Sequence, residues 1–161
     1  MESRLARLDD AEAIRQIYNR EVSTSTVTFD LVPRTLDEQI TWLQARSGAH
    51  VVLVAEDADE VVGFASLSPF RDRPAYNSTV ESSVYVRSDQ RGRGVGARLI
   101  GDLVGLAAQH GFHTAIARIV GGHEASIGLH RAAGFTEVGI EREVGRKFGT
   151  WLDVVVMQRM L

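Results

Sequence analysis

A mixed α/β fold, with helices on the faces of a twisted and mostly antiparallel sheet, is predicted by three observations on this sequence. Apolar residues switch repeatedly between a period near two and a period near 3.6. Two apolar runs, Val51 to Glu56 and Val61 to Ser68, flank the short acidic segment Asp57 to Glu60, the pattern of an antiparallel hairpin. A β-branched stretch, Thr79 to Val86, runs through a polar, glycine-rich turn into an amphipathic helix. Together they predict the order β-α-α-β-β-β-α-β-α-β-β within one domain over residues 1–161.

Taken in order, residues 4 to 8 form a short first strand. Asp9 and Glu12 have capping spacing, and Ile14, Ile17, Tyr18 and Val22 share one face of the helix that follows. Ser23 to Asp30 reads as a loop carrying the lone Phe29. Thr35 and Glu38 form a second capping box before Leu36, Ile40 and Leu43, in a helix expected to end near Gly48. After the hairpin, Pro69 to Ser78 is a loop bearing Arg71, Asp72, Arg73 and Tyr76. Leu99, Ile100, Leu103, Leu106 and Ala107 define the helix that starts at Val95 and ends around Gly111. Phe112 to Val120 is a strand, and Glu124 to Ala133 a short helix stopped by Gly134. Phe135 to Glu143 and Thr150 to Met160 are the last strands, with Gly145 to Gly149 as the turn.

Composition narrows the function. With 161 residues the chain is long enough to bury a core without disulfides or metal. A net charge of −3 gives no basic field for nucleic acid. Cysteine is absent, which removes disulfides, thiolate catalysis and thiolate-bound metal together and suits a reducing cytoplasm. His110, His113, His123 and His130 have no metal-ligand spacing, so no metal is expected. No apolar run approaches a membrane span.

The turn after Val86 carries the chemistry. Glycines between a strand and a helix expose backbone N–H groups at the positive end of a helix dipole, an arrangement that binds phosphate or pyrophosphate. A Walker loop would need Gly-Lys-Ser/Thr, which is missing, and a dinucleotide fingerprint needs G-x-G-x-x-G where this turn has G-x-G-x-G. Arg91-Gly92-Arg93-Gly94-Val95-Gly96 instead satisfies the acyl-CoA pattern Arg/Gln-x-x-Gly-x-Gly/Ala.

That turn, with Thr79–Val86, Gln90–Gly96, Glu124–Phe135 and Lys147–Asp153 in order, resembles the GNAT superfamily of N-acetyltransferases, and more narrowly the phosphinothricin and methionine sulfoximine acetyltransferases. The similarity runs from about residue 4 to residue 160. It implies the GNAT acyl-CoA N-acyltransferase fold, acetyl-CoA as co-substrate, and a homodimer. It also implies that Val84, Tyr85 and Val86 offer strand backbone to the pantetheine amides, as an added strand would. Gly92, Gly94, Val95, Gly96 and Ala97 would hold the pyrophosphate through N–H groups. Arg91 and Arg93 either add charge-assisted contacts or stand solvated. Family members commonly carry Asn where this chain has His123, so His123, with Ser126, is a cofactor contact of altered geometry.

Transfer to an amine requires the neutral amine, and Glu81 is the candidate base. Strand alternation puts it on one face with Thr79, Ser83 and Tyr85, opposite Val80, Val84 and Val86. His130 stands near the position where many relatives carry a tyrosine acid, and reads either as a proton donor to the departing thiolate or as a packed ring. Arg71 and Arg73, flanking Asp72, suit a carboxylate-bearing acceptor. Phe29 and Tyr76 are candidate walls, Ser82 and Ser83 candidate contacts. Lys147, Phe148 and Trp151 read more readily as packing of the last hairpin or of a dimer face. The resulting expectation is direct acetylation, in a ternary complex, of the α-amine of a small amino-acid analogue. A peptide N-terminus, lysine or polyamine acceptor, or a non-catalytic acyl-CoA-binding module, are the alternatives.

Overall fold

The computed structural model describes all 161 residues. Seven strands form one sheet: β1 (Glu2–Leu5), β2 (Val52–Asp57), β3 (Glu60–Pro69), β4 (Thr79–Val86), β5 (Thr114–Val120), β6 (Thr136–Lys147) and β7 (Thr150–Met160). Their spatial order is β1-β2-β3-β4-β5-β7-β6. Every pairing is antiparallel except β4 with β5. The helices are α1 (Ala11–Thr24), α2 (Leu36–Gln44), α3 (Val95–Gln109) and α4 (Glu124–Ala132). The expected element order and mixed sheet are therefore found, and no helix is long and apolar enough to cross a membrane.

Two apolar clusters cover the two sheet faces. α3 presses Leu99, Ile100, Leu103 and Ala107 onto Ala65, Leu67, Val80, Ala115 and Ala117, with Val84 and Val86 packed alongside. On the other face α1 and α2 bring Ile14, Ile17, Tyr18, Val22 and Leu43 against Val52, Val54 and Phe64, with Tyr85 alongside. Alternation along β4 thus sends Val80, Val84 and Val86 to α3 and Tyr85 to α1.

Local signals account for the ends. The Thr35 hydroxyl accepts from the Glu38 N–H at 3.2 Å while the Glu38 carboxylate accepts from the Thr35 N–H at 2.8 Å, a complete capping box. The β2–β3 hairpin turns on Ala58 and Asp59, both at positive φ, the twist that suits a two-residue connection.

Several boundaries differ from the expectation. The first strand lies at Glu2–Leu5, and α1 is preceded by a 3-10 turn over Leu8–Asp10. Asp10 rather than Asp9 secures that entry: its carboxylate accepts from the Arg7 N–H at 2.7 Å and from Arg4 at 2.8 Å. Helix α2 stops at Gln44, four residues before Gly48, and buries Gln39 while Leu36 stays exposed. The Gln39 side-chain oxygen accepts from Arg34 at 3.2 Å, while its buried Nε2 has no protein partner. β6 runs through Gly145 to Lys147, with a register irregularity between Glu141 and Gly145. The β6–β7 turn is the pair Phe148–Gly149 at positive φ, not the whole of Gly145 to Gly149.

Candidate active site

The single parallel pairing creates the site. β4 and β5 are in register from Thr79↔Thr114 to Ser82↔Ala117 and then part. Beyond that point β4 stays with β3 to Val86↔Gly63, and β5 stays with β7 to Val120↔Val154. The wedge leaves backbone groups of Ser83 to Val86 without a strand partner on the β5 side. A cavity of about 790 Å³ occupies the wedge. It is lined by Ser82 to Val86, by the turn Gln90–Gly92 and Gly94–Ala97, by Ala117 to Val120, and by Gly122–Ser126, Leu129 and His130.

At one end lies the start of α3. Gly94 is its N-cap at φ 83°, ψ 0°, a left-handed conformation, and no side chain caps the helix. The N–H groups of Val95, Gly96 and Ala97 therefore have no intrahelical acceptor, the first helical bond being Arg98 N–H to Gly94 O at 3.0 Å. Gly94 lines the cavity, and a Cβ added there would stand in open space, meeting nothing beyond its chain neighbours within 4 Å. Gly92, also at positive φ, continues the turn. Three free donors at a helix N-terminus beside an unpaired strand edge fit an extended ligand that carries phosphate and amides.

Both arginines of this turn have partners within the protein. Arg91 crosses to α1, where it pairs with the buried Glu21 and donates to Val86 O at 3.3 Å. Arg93 donates to Gln90 at 2.6 Å. His123 lines the cavity and is bonded to the Thr26 hydroxyl at 2.8 Å, which joins the α1–α2 connection to the start of α4. Burial holds its pKa below the ordinary imidazole range, Arg91 acts in the same sense, and Glu21 opposes both.

Glu81 sits where the strands begin to part, paired with Ser68 of β3 on one side and Ile116 of β5 on the other. Burial raises its pKa, while the positive charges of Arg118 and Arg71 pull the other way and Glu141 adds to the rise. Ser82 points to the α3 face, where it is buried and donates to Ile116 O at 3.4 Å. Ser83 keeps the Glu81 face.

His130 is buried on α4 against the edge of the Phe135 ring, with centroids 5.2 Å apart. Its Nδ1 lies 2.8 Å from Ser126 O, a bond only an Nδ1–H can donate. The neutral ring therefore carries a lone pair on Nε2, which is buried and has no protein partner. Burial also depresses its pKa, against the Ser126 bond.

The loop candidates are spread more widely. Arg71 lies over the Phe70 ring at 4.8 Å, and Phe70 meets Tyr76 edge-on at 5.5 Å. Arg73 and Asp72 are exposed at the mouth of a 3-10 turn over Pro74–Tyr76. Phe29 rests on β6: a Cβ at Gly145 would fall 2.3 Å from its Cζ. Lys147, 3% exposed, donates to Thr28 O at 2.9 Å and pins the same loop. Gly145→Ala is therefore expected to displace Phe29 at a cost of about 1–3 kcal/mol. A lowered Tm and a raised KM for the acceptor, with KM for acetyl-CoA unchanged, check it; an unchanged acceptor KM removes Phe29 from the site.

Comparison with known proteins now decides the family. The model of the acetyltransferase (GNAT) domain matches residues 4–156. The chain belongs to the GNAT acetyltransferases. It is 43% identical over 155 residues to the L-methionine sulfoximine/L-methionine sulfone acetyltransferase of Pseudomonas paraeruginosa, covering 95% of this chain and 90% of that one. The crystal structure of a ribosomal-protein-alanine N-acetyltransferase from Brucella melitensis superposes with a TM-score of 0.98 at 40% identity, covering all of both chains. A GNAT phosphinothricin acetyltransferase from Sinorhizobium meliloti, solved with acetyl-CoA, superposes at 0.96 and 38% identity, covering 99% of this chain and 88% of that one. This GNAT enzyme is an N-acetyltransferase that uses acetyl-CoA. No cluster of three or more His, Asp or Glu side chains is arranged to hold a metal ion.

The sequence reading missed Arg118, Glu21, Thr26 and Val27. All but Thr26 line the cavity, and Thr26 is bonded to His123. Alternation along β5 puts Arg118 opposite the apolar Ala117 and Ile119, but only the parallel register with β4 reveals that it shares a face with Glu81.

Proposed function

We propose that the protein acetylates the α-amine of a small amino-acid analogue of the methionine sulfoximine, methionine sulfone or phosphinothricin type. The observation that carries this reading is a half-buried carboxylate, Glu81, at the apex of the wedge where β4 and β5 begin to part, with the charges of two arginines acting on it. The names of the Pseudomonas and Sinorhizobium relatives support it. A polyamine acceptor fits less well, since positive charges surround the base.

Acetyl-CoA supplies the activated acyl group, held by the backbone of Val84 to Val86 and the N–H groups of Val95 to Ala97. Glu81 takes a proton from the acceptor's ammonium nitrogen, directly or through a water. A carboxylate raised by burial is the better matched to that task near neutral pH. His130 rests neutral with Nε2 as an acceptor, so it donates a proton to the leaving sulfur only after taking one up. Arg71 and Arg73 hold the acceptor's polar groups, with Phe29 and Tyr76 as walls. Transfer is direct, in a ternary complex, a reading supported by the absence of cysteine.

The whole chain acts as one catalytic domain, in the cytoplasm, and as a homodimer. Exposed Val138, Ile140, Val144, Phe148 and Trp151 on the β6–β7 hairpin support the dimer. The Brucella neighbour's name favours a second reading, a peptide N-terminal amine. Release of CoA thiol separates the two across methionine sulfone, methionine sulfoximine, phosphinothricin, an alanine-initiated peptide and a polyamine. Turnover is expected with the first three; turnover of the peptide alone overturns the amino-acid reading.

A further inference from the structure

Arg118 has no task in the function described so far, although it is the foremost positive charge acting on Glu81. β4 and β5 run parallel with Glu81 opposite Ile116, so Arg118, two residues on, projects from the same face at the point where the wedge opens. It lines the cavity. Its guanidinium is braced from β6: Nε donates to Glu141 Oε1 at 3.1 Å, and Nη2 donates to that same oxygen. Glu141 stands one strand beyond β7, where Arg118 is paired with Val156 and Glu141 with Val154. Because one oxygen takes both donors, the two N–H groups of Nη1 and the second of Nη2 stay free of protein acceptors. The side chain is 39% exposed, open enough to meet a ligand and fixed enough to orient it.

The chemistry of an α-amino acid then limits the choice of carboxylate ligand. A single carbon separates its reacting nitrogen from its carboxylate. A cation that binds the carboxylate while Glu81 serves the amine must stand where Glu81 feels its charge. Arg118, on the neighbouring strand and the same face as Glu81, and Arg71 meet this condition. Arg71 is on a loop and lies over Phe70, whereas Arg118 is on a central strand and locked by an ion pair, the more rigid platform.

We propose that Arg118, held in place by Glu141, binds the α-carboxylate of the acceptor and sets the preference for amino acids over simple amines. This rests on the amino-acid reading above. The fork of a guanidinium matches a carboxylate in a way an ammonium does not, so lysine is a partial substitute.

The test uses the full-length protein with L-methionine sulfone and its carboxamide, which keeps the amine and removes the negative charge. Wild type is expected to prefer the acid. In Arg118→Gln the KM for the acid is expected to rise roughly ten- to hundredfold, the worth of a hydrogen bond to a charged group. The KM values for the carboxamide and for acetyl-CoA stay within about twofold, so the preference collapses. Arg118→Lys restores part of it, and Glu141→Gln, which loosens the brace, gives a smaller rise for the acid alone. An equal loss on acid and carboxamide overturns the proposal, because Arg118 would then act only through Glu81 or through packing. Wild-type preference retained in Arg118→Gln overturns it while leaving the amino-acid reading intact. A wild type that does not distinguish acid from carboxamide overturns both.

Discussion

Replacing Glu81 by glutamine is expected to lower kcat by roughly a hundred- to ten-thousandfold, the range over which a positioned general base contributes. Acetyl-CoA binding should be unaffected, because the groups that fit it lie beyond Ser82 along β4 and at the start of α3. Glutamine keeps the shape of the side chain and one acceptor oxygen, and loses the negative charge and the ability to take a proton. The pH profile gives a second check. A base works deprotonated, and burial raises the Glu81 pKa, so activity should climb with pH along a limb placed above the ordinary carboxylate range. Arg118 and Arg71 favour the charged form and set a ceiling on that rise. The variant should lose the limb along with the rate. Unchanged turnover, or a profile that keeps the same acidic limb, would remove Glu81 as the base.

What could be read from the sequence was local, and what escaped it depended on register. The capping box at Thr35 and Glu38, the β2–β3 hairpin, the strand Thr79–Val86 and the helix starting at Val95 each depend on residues within a few positions of one another. The glycine turn was legible for the same reason, since bare N–H groups at a helix start follow from the letters around Gly94; its left-handed N-cap is a finding of the structure. The burial of Gln39 was not, because it depends on Arg34 arriving from the preceding loop. Nor was the length of β6: Gly145 resembles a turn residue, but its missing Cβ makes room for Phe29 from a loop more than a hundred residues earlier. Arg91 read either as a phosphate contact or as a solvated arginine, and neither reading offers its pairing with Glu21, a buried acid on α1 that no periodicity marks as a partner. Arg118 is the clearest case. β5 alternates as expected, but which strand lies beside it, in which direction and in which register, are properties of the assembled sheet.

Gly94→Val should weaken acetyl-CoA binding by roughly a hundredfold or more, the loss expected when two charge-assisted N–H bonds are misplaced. Two causes act together. Gly94 sits at φ 83°, a region that costs an L-residue about 1–2 kcal/mol and a β-branched one more, so the turn must shift and carry the first N–H groups of α3 with it. The new side chain also extends into a space where a Cβ meets no protein atom within 4 Å, the space a phosphate group would fill. Gly96 provides the contrast. A Cβ there lies 3.0 Å from Leu129 Cδ2, so Gly96→Ala disturbs the packing of α3 on α4 more than the mouth of the cradle. Calorimetric titration of both variants with acetyl-CoA, beside their thermal melts, separates the effects. For Gly94→Val the Kd should rise far more than the drop in Tm would suggest, while Gly96→Ala should lose Tm in closer proportion to affinity. Normal acetyl-CoA binding by Gly94→Val would mean that the α3 N-terminus does not hold the pyrophosphate, whatever the turn's resemblance to an anion cradle.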